Sequence, residues 1–233
     1  MRFAIISDIH SNLEALTKAF EIIDQRSVDE IVCLGDVIGY GANPNECVEL
    51  IRQRCRIVLR GNHEHAVLNA AETEHFSENA RSAIVWTRKH LAEEHLAYFQ
   101  TLPLSQSKNN LRFVHASPCN PDDWEYIFDE DAAASSFPCF SEALGFIGHT
   151  HIPAIFSTEG EVFSISRNER FLINVGSVGQ PRDRNIHLSF GLFDTDLWTY
   201  ENIRSAYDVE TTVWKILNTS LPSKLGHRLL MGV

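Results

Sequence analysis

Phe3-Ala4-Ile5-Ile6-Ser7-Asp8-Ile9-His10 is an apolar run that ends on an acid and an imidazole. Apolar residues in a short unbroken run, closed by polar ones, read as a buried strand. The same pattern returns four times. Ile31-Val32-Cys33-Leu34 leads into Gly35-Asp36, Ile57-Val58-Leu59 into Asn62-His63-Glu64-His65, Leu111–Val114 into His115, and Leu144–Ile147 into His149-Thr150-His151. Helix signals separate the first three runs. Ser11-Asn12-Leu13-Glu14 predicts a capping box, with Leu13, Leu16, Phe20 and Ile23 on one face of the helix that follows. Pro44 opens a second helix through about Gln53, with Cys47, Val48 and Ile51 apolar. Strand, helix, strand, helix, strand predicts a mostly parallel sheet with right-handed crossovers. Ligands bind beyond the carboxyl ends of strands in such sheets, so the five polar clusters are expected to meet.

The rest of the chain changes character twice. Residues 64–102 contain neither Gly nor Pro and read as helical, with Ser77 as an N-cap and Pro103 as the stop. This segment is placed to overhang the site. Strand-like runs follow at 154–157, 161–165, 171–175, 187–193 and 198–203, separated by turns such as Glu159-Gly160. Two helices, 207–217 and 223–230 with Pro222 at its start, are expected to close the chain as core or homodimer surface. With no repeat, low-complexity tract or clear linker, residues 1–233 read as a single domain of two sheets with outer helices.

Composition narrows the partners. The 20 Lys and Arg against 31 Asp and Glu leave a net charge of −11. A protein that coats long nucleic acid needs a basic surface to displace counterions, and no basic run is present. Apolar runs stay near four residues, far below the roughly 18 of a membrane span or the about 7–15 of a signal-peptide core. The five cysteines, at 33, 47, 55, 119 and 139, are odd in number and lack a C-x-x-C pair. They are expected as free buried thiols in a cytoplasmic protein.

Imidazoles and carboxylates without Cys form a divalent-metal inventory. The mixture suits Mn, Fe, Zn or Ni better than the all-oxygen shells of Mg or Ca. The donors exceed what one site needs, which points to two ions with a shared carboxylate. Asp36, alone at its strand end, is the natural bridge. His65, His75, His90, His95, His187 and His227 lie outside the pattern, and no Ser or Cys nucleophile motif or phosphate-binding Gly-rich loop is evident.

The ordered blocks Asp8-x-His10, Gly35-Asp36, Gly61-Asn62-His63-Glu64, His115 and Gly148-His149-Thr150-His151 resemble the calcineurin-like metallophosphoesterases. The tail Gly176–Asp183 is similar to small prokaryotic phosphodiesterase-type members. The resemblance implies an α+β fold of α/β/β/α layers, two mixed sheets packed as a sandwich with flanking helices. It implies that Asp8, His10 and His151 bind one metal, that Asn62, His115 and His149 bind a second, and that Asp36 bridges. A bridging hydroxide then hydrolyses a small phosphate ester while His63 assists the leaving group. Two departures stand out. Where the Ser/Thr protein phosphatases of the superfamily carry an orienting carboxylate and a phosphate-binding arginine, this chain has Gly39 and Tyr40. That counts against a protein phosphatase and leaves His63 without an evident orienting partner. Arg182 is the candidate replacement phosphate clamp. Asn12 has two readings, helix start and substrate contact. A non-catalytic metal-site scaffold that binds a partner protein, and a nuclease on short oligonucleotides, are the alternative functions.

Overall fold

The computed structural model describes residues 1–69, 73, 76–160 and 164–233. Its first sheet contains β1 (Arg2–Ile6), β2 (Glu30–Cys33) and β3 (Ile57–Val58), which run parallel, and the hairpin β9 (Leu188–Asp194) and β10 (Thr199–Ser205). The strand order is β10-β9-β1-β2-β3, with β9 antiparallel to β1. The second sheet contains β4 (Ser105–Lys108), β5 (Leu111–Val114), β6 (Leu144–Ile147), β7 (Ala154–Ser157) and β8 (Phe171–Asn174). Its order is β4-β5-β6-β8-β7, parallel in the middle and antiparallel at both edges. Both sheets are therefore mixed.

Alternation along each strand divides the core into layers. Phe3 and Ile5 of β1 face the second sheet and pack with Phe113, Phe146, Phe171 and Ile173. The ring centroids of Phe113 and Phe146 lie 5.7 Å apart, and Phe193 adds another ring 5.7 Å from Phe146. Ala4 and Ile6 point the other way, onto α1 (Leu13–Asp24) and α2 (Pro44–Arg54) through Leu16, Phe20, Cys47 and Val48. On the far side, Val114, Ile147 and Leu172 meet Ala133 of α6 (Glu130–Ser136) and Phe137. Helices outside two sheets give the α/β/β/α order.

Several boundaries differ from the sequence reading for local reasons. Asn12, not Ser11, caps α1: its Oδ1 accepts from Ala15 N at 3.1 Å, while Ser11 sits at φ 55°. Glu14 closes no capping box; its carboxylate reaches across to Thr212 and Lys215. The helical stretch 64–102 resolves into α3 (Asn62–Leu68), α4 (Glu78–His90), capped by Ser77, and α5 (Glu93–Thr101). The expected strand at 161–165 falls mostly outside the described residues, and Ser164 and Ile165 carry no strand. Neither β4 nor α6 was anticipated. β4 is a polar edge strand, Ser-Gln-Ser-Lys, with no apolar alternation, and α6 is short and rests on the Asp129 cap over Ala132 N. The chain closes with α7 (Val209–Leu217), α8 (Ser223–His227) and a 3-10 turn, Arg228–Leu230, that pack Val213, Leu225 and Leu229 against Tyr40 and Ala83. No helix among the described residues is long and apolar enough to cross a membrane.

The expectation of five free thiols is overturned. Cys119 and Cys139 form a disulfide across a sequence separation of 20, and Cys33, Cys47 and Cys55 remain free. The bridged pair lies toward the surface, where the loop after His115 returns from α6, so two cysteines distant in sequence meet without burial. Closing a loop of that length restricts the unfolded chain and contributes about 3 kcal/mol. Cys119→Ser should lower the unfolding free energy by about that amount in urea titrations under non-reducing conditions, and dithiothreitol should reproduce the loss in the parent protein.

Candidate metal centre

The parallel strands of both sheets end on the same side of the sandwich, and the polar residues just beyond them meet there. From the first sheet come Asp8 and His10 after β1, Asp36 after β2, and Asn62 and His63 at the start of α3. From the second come His115 after β5 and His149 and His151 after β6. All are buried except the half-buried Asn62. The backbone turns sharply to aim them inward. Asp8, His10, Asp36, His149 and His151 have φ between 50° and 65°, a left-handed region that non-glycine residues seldom occupy.

Both carboxylates are held in the same way. One oxygen accepts a backbone N–H from a different strand end: Asp8 Oδ2 from His149 N at 3.0 Å, and Asp36 Oδ1 from His63 N at 2.9 Å. The other oxygen faces imidazoles. Asp8 Oδ1 lies 3.3 Å from His151 Nε2 and 3.8 Å from His10 Nε2. Asp36 Oδ2 lies 3.4 Å from His115 Nε2, 3.7 Å from His10 Nε2 and 4.0 Å from His63 Nε2. Asp36 thus stands between the His10 side and the His115 side of the cluster. Asn62 Oδ1 sits 3.2 Å from His115 Nε2.

The hydrogen bonds of His10 and His151 fix what the cluster can hold. His10 Nδ1 faces the carbonyl of Ile38 at 3.1 Å, and His151 Nδ1 that of Gln180 at 2.6 Å. A carbonyl only accepts, so both Nδ1 atoms carry the proton. Their Nε2 lone pairs then confront each other at 3.1 Å, beside the Asp8 carboxylate. Protonation does not relieve this, because burial and the neighbouring imidazoles hold His10 well below its usual pKa, and burial and Arg182 lower His151. Burial takes His149 down to about 3 and His63 to about 4. His115 goes the other way: burial opposes its charge, but Asp36 and Asp8 outweigh burial and raise it to about 9. Asp8 Oδ1 and His149 Nε2 are buried and have no hydrogen-bond partner. Converging lone pairs, ionised carboxylates and orphaned donor atoms fit a divalent cation. In each of three sets among the described residues the ligand atoms lie within 4.8 Å of one another: Asp8, His10 and His151; His10, Asp36 and His63; and Asp36, His115 and His149.

A supporting layer escaped the sequence reading. Glu64 is fully buried and its carboxylate accepts from Asp36 N at 2.8 Å, Ile38 N at 3.1 Å and Gly61 N at 2.9 Å. Burial and the Asp36 charge raise its pKa to about 7, against the pull of those N–H donors. Asn174, at the end of β8, donates to Gly148 O and Thr150 Oγ1 and so braces the turn that carries His149 and His151. The tail Gly176–Asp183 wraps β1: Val178 N and Gly179 N donate to Ser7 O and Asp8 O, and Ser177 Oγ donates to Asp8 O. The Gly-Asn-His-Glu block contained the signal for Glu64, but not its partners.

His63 is held by rings in place of a carboxylate. A Cβ at Gly39, where φ is +93°, would overlap His63 Nδ1, and that nitrogen is buried without a partner. The imidazole is instead edge-on to Tyr40 at 4.6 Å and to His10 at 4.7 Å, with Phe76 at 5.5 Å. Beyond it opens a cavity of about 720 Å³. Phe76, Ser77 and Ala80, from the N-terminal side of α4, form part of its wall, together with Arg182. Asn12 does not line it. Its amide donates to Gly179 O and Tyr207 Oη, and its Oδ1 accepts from Ala15 N as the helix cap and lies 3.0 Å from Thr212 Oγ1, so its polar atoms are engaged within the protein. The other histidines lie outside the cluster, although His65 joins the cavity wall and His95 is buried; His75 is outside the described residues.

Residues 1–197 match the model of the calcineurin-like phosphoesterase superfamily domain. The chain belongs to this superfamily. It is 41% identical to an uncharacterized protein of Methanocaldococcus jannaschii, over 98% of this chain and 97% of that one. Among solved structures, a metallophosphoesterase from Sphaerobacter thermophilus superimposes with a TM-score of 0.89 at 36% identity, covering 100% of this chain and 99% of that one. A hypothetical protein of Pyrococcus horikoshii shares the fold, with a TM-score of 0.86 at 19% identity over 100% and 98%. The resemblance read from the five blocks and the two-sheet sandwich is borne out.

Removing the Glu64 carboxylate would leave three buried backbone N–H groups unpaired. Glu64→Ala should cost about 3 kcal/mol of unfolding free energy in urea, far more than an average surface substitution.

Proposed function

We propose that the chain is a metal-dependent phosphoesterase that hydrolyses small phosphate esters at a dinuclear centre. The observation that carries this is the pair of facing imidazole Nε2 atoms beside ionised carboxylates, within a member of a phosphoesterase superfamily. Asp8, His10 and His151 would hold one ion, Asn62, His115 and His149 the other, and Asp36 would touch both. Mn, Fe, Zn and Ni suit this donor set. When bound, such ions lower the pKa of water toward neutrality and draw charge from phosphoryl oxygens.

The chain's own residues do the rest. Asp8 and Asp36 present a single oxygen each because a backbone N–H occupies the other, which orients the donors before any ion arrives. His10 and His151 are kept in the Nδ1-protonated tautomer by their carbonyl partners, leaving Nε2 as a donor to metal. His63 lines the cavity beside the cluster, where it can pass a proton to a departing oxygen. Burial lowers its pKa to about 4, so near neutral pH only a small fraction carries the proton to give. Arg182, on the same wall, can pair with phosphate oxygens. We read residues 1–233 as one unit, since Arg228, near the end of the chain, lines the same cavity as His63. A cytoplasmic setting and a small-molecule substrate complete the proposal.

The test is reconstitution with Mn²⁺, Ni²⁺, Zn²⁺ or Mg²⁺, followed by assays on p-nitrophenyl phosphate and bis(p-nitrophenyl) phosphate. Hydrolysis that requires added metal and stops with a chelator is expected. A metal-loaded protein that turns over neither ester overturns the proposal. Elemental analysis should give two ions per chain, and Asp36→Asn should lose both together. His63→Ala should lower kcat by about 10²-fold or more on alkyl esters, whose alkoxide needs a proton, and by less on nitrophenyl esters, whose phenolate does not.

A further inference from the structure

The wall of the cavity carries two guanidinium groups that pair with no Asp or Glu side chain among the described residues. Arg182 donates through Nη2 to Gln180 Oε1 at 3.0 Å, and its Nε is buried with no partner. The neighbouring carboxylate, Asp183, is engaged by Arg204. Arg228, on the 3-10 turn after α8, donates through Nε to the backbone oxygen of Val233 at 2.6 Å. Neither arginine pairs with an Asp or Glu side chain among the described residues, and both are half-buried. They flank one ring: the guanidinium carbons lie 5.9 Å and 5.7 Å from the centroid of Tyr40. The same ring lies 4.6 Å from His10 and from His63, so the two cations stand beside the Asp/His cluster. Burial and the Arg182 charge both disfavour the charged form of Arg228. Two like charges kept together away from bulk water, with no Asp or Glu side chain paired to either among the described residues, favour an anion beside them. The only carboxylates on the described wall, Asp122 and Asp123, are solvent-exposed and pair with neither arginine.

Another part of the wall is aromatic. Trp124 and Tyr126 sit on the loop that the Cys119–Cys139 disulfide closes. Tyr126 lies flat on His149 at 4.0 Å and stacks with the exposed Phe128 at 5.1 Å. Trp124 stands 6.0 Å from His115 and 5.6 Å from His65. The side chain of Tyr126 is about half exposed (49%), an apolar face for a planar ligand.

We propose that Arg182 and Arg228 bind a second, non-reacting phosphoryl group, and that Trp124 and Tyr126 hold an aromatic ring joined to it, so that the substrate class is nucleoside di- and polyphosphates. The choice of reacting phosphorus rests on the phosphoesterase reading above; the anion subsite does not need turnover. In the hydrolysis, water oxygen bonds to the phosphorus at the cluster and the P–O–P bridge breaks. The bridging oxygen leaves with its electron pair on the phosphate held by the arginines, and one proton goes to solvent. A phosphate leaving group of this kind makes little demand on His63.

Calorimetric titration of the metal-reconstituted protein with α,β-methylene-ADP, methylenediphosphonate and adenosine tests the proposal. The nucleotide analogue should bind more tightly than adenosine. Losing a charge-assisted pair should weaken the analogue about tenfold or more in Arg228→Ala, in the milder Arg228→Gln and in Arg182→Ala. Trp124→Ala should weaken the analogue and not methylenediphosphonate. Affinities within twofold of the parent in the arginine variants, or adenosine binding as tightly as the analogue, overturn the anion subsite. A Trp124→Ala protein that binds the analogue like the parent overturns the ring assignment. Bis(p-nitrophenyl) phosphate assayed on the same preparations separates the two readings. Arginine-dependent binding without turnover sinks the phosphoesterase reading and leaves the subsite standing, whereas turnover without arginine-dependent binding sinks the subsite alone.

Discussion

Each of the two buried carboxylates spends one oxygen on a backbone N–H from another strand end and turns the other toward imidazoles. The bond from His149 N to Asp8 joins the second sheet to the first, because β6 precedes His149 and β1 precedes Asp8. The bond from His63 N to Asp36 joins the segments that follow β3 and β2. The carboxylates therefore act as bolts between elements as well as candidate metal donors. A change at either one disturbs the relative position of the strand ends, and with it every imidazole in the cluster.

This arrangement is stabilised at a local cost. Five donor residues sit at positive φ, and each such conformation costs on the order of 1 kcal/mol or more for a non-glycine residue. The surroundings offset it with bonds that a relaxed backbone would lose. Asp8 N, His10 N and Ser11 N donate to the carbonyls of Gly35, Asp36 and Val37, so the turns after β1 and β2 zip together. Glu64 gathers three more N–H groups below Asp36, and Asn174 pins the His149–His151 turn from β8. Without a cation, the lone pairs of His10 and His151 still oppose each other. A bound ion would link metal binding to folding stability through that repulsion, since it would remove it only in the folded chain.

The parts legible in the sequence are those set by residues close together in the chain. A buried strand needs a short apolar run, and β5, β6 and β7 begin and end where their runs do. The donor residues were legible because a parallel strand must deliver its next residue to a common edge. What stayed hidden depends on partners distant in sequence. Cys119 finds Cys139 only after α6 has folded the loop back. β4 is strand because β5 offers it a ladder, since its own residues show no apolar alternation. Glu64 looks like a helix-start residue bonded to nearby Gly61 until Asp36 and Ile38 are brought over it. Arg228 reads as a solvated cation on a closing helix until that helix packs beside Tyr40.

Gly39 and Tyr40 give the cavity its chemical bias. Gly39 leaves no side chain behind His63, and its own Cβ position is filled by the imidazole, so no acid at that position could fit without displacing the ring. His63 is positioned by the edges of Tyr40, His10 and Phe76, which fix its plane but donate and accept nothing at Nδ1. Such a histidine gains no charge stabilisation from behind as it changes protonation state. Positive charge lies beside the same Tyr40 ring, on Arg182 and Arg228, whose guanidinium carbons are 5.9 Å and 5.7 Å from its centroid. For the proposed hydrolysis, cations beside the cluster and a histidine that is mostly neutral near pH 7 would favour leaving groups that depart as stable anions over those that must be protonated as they go.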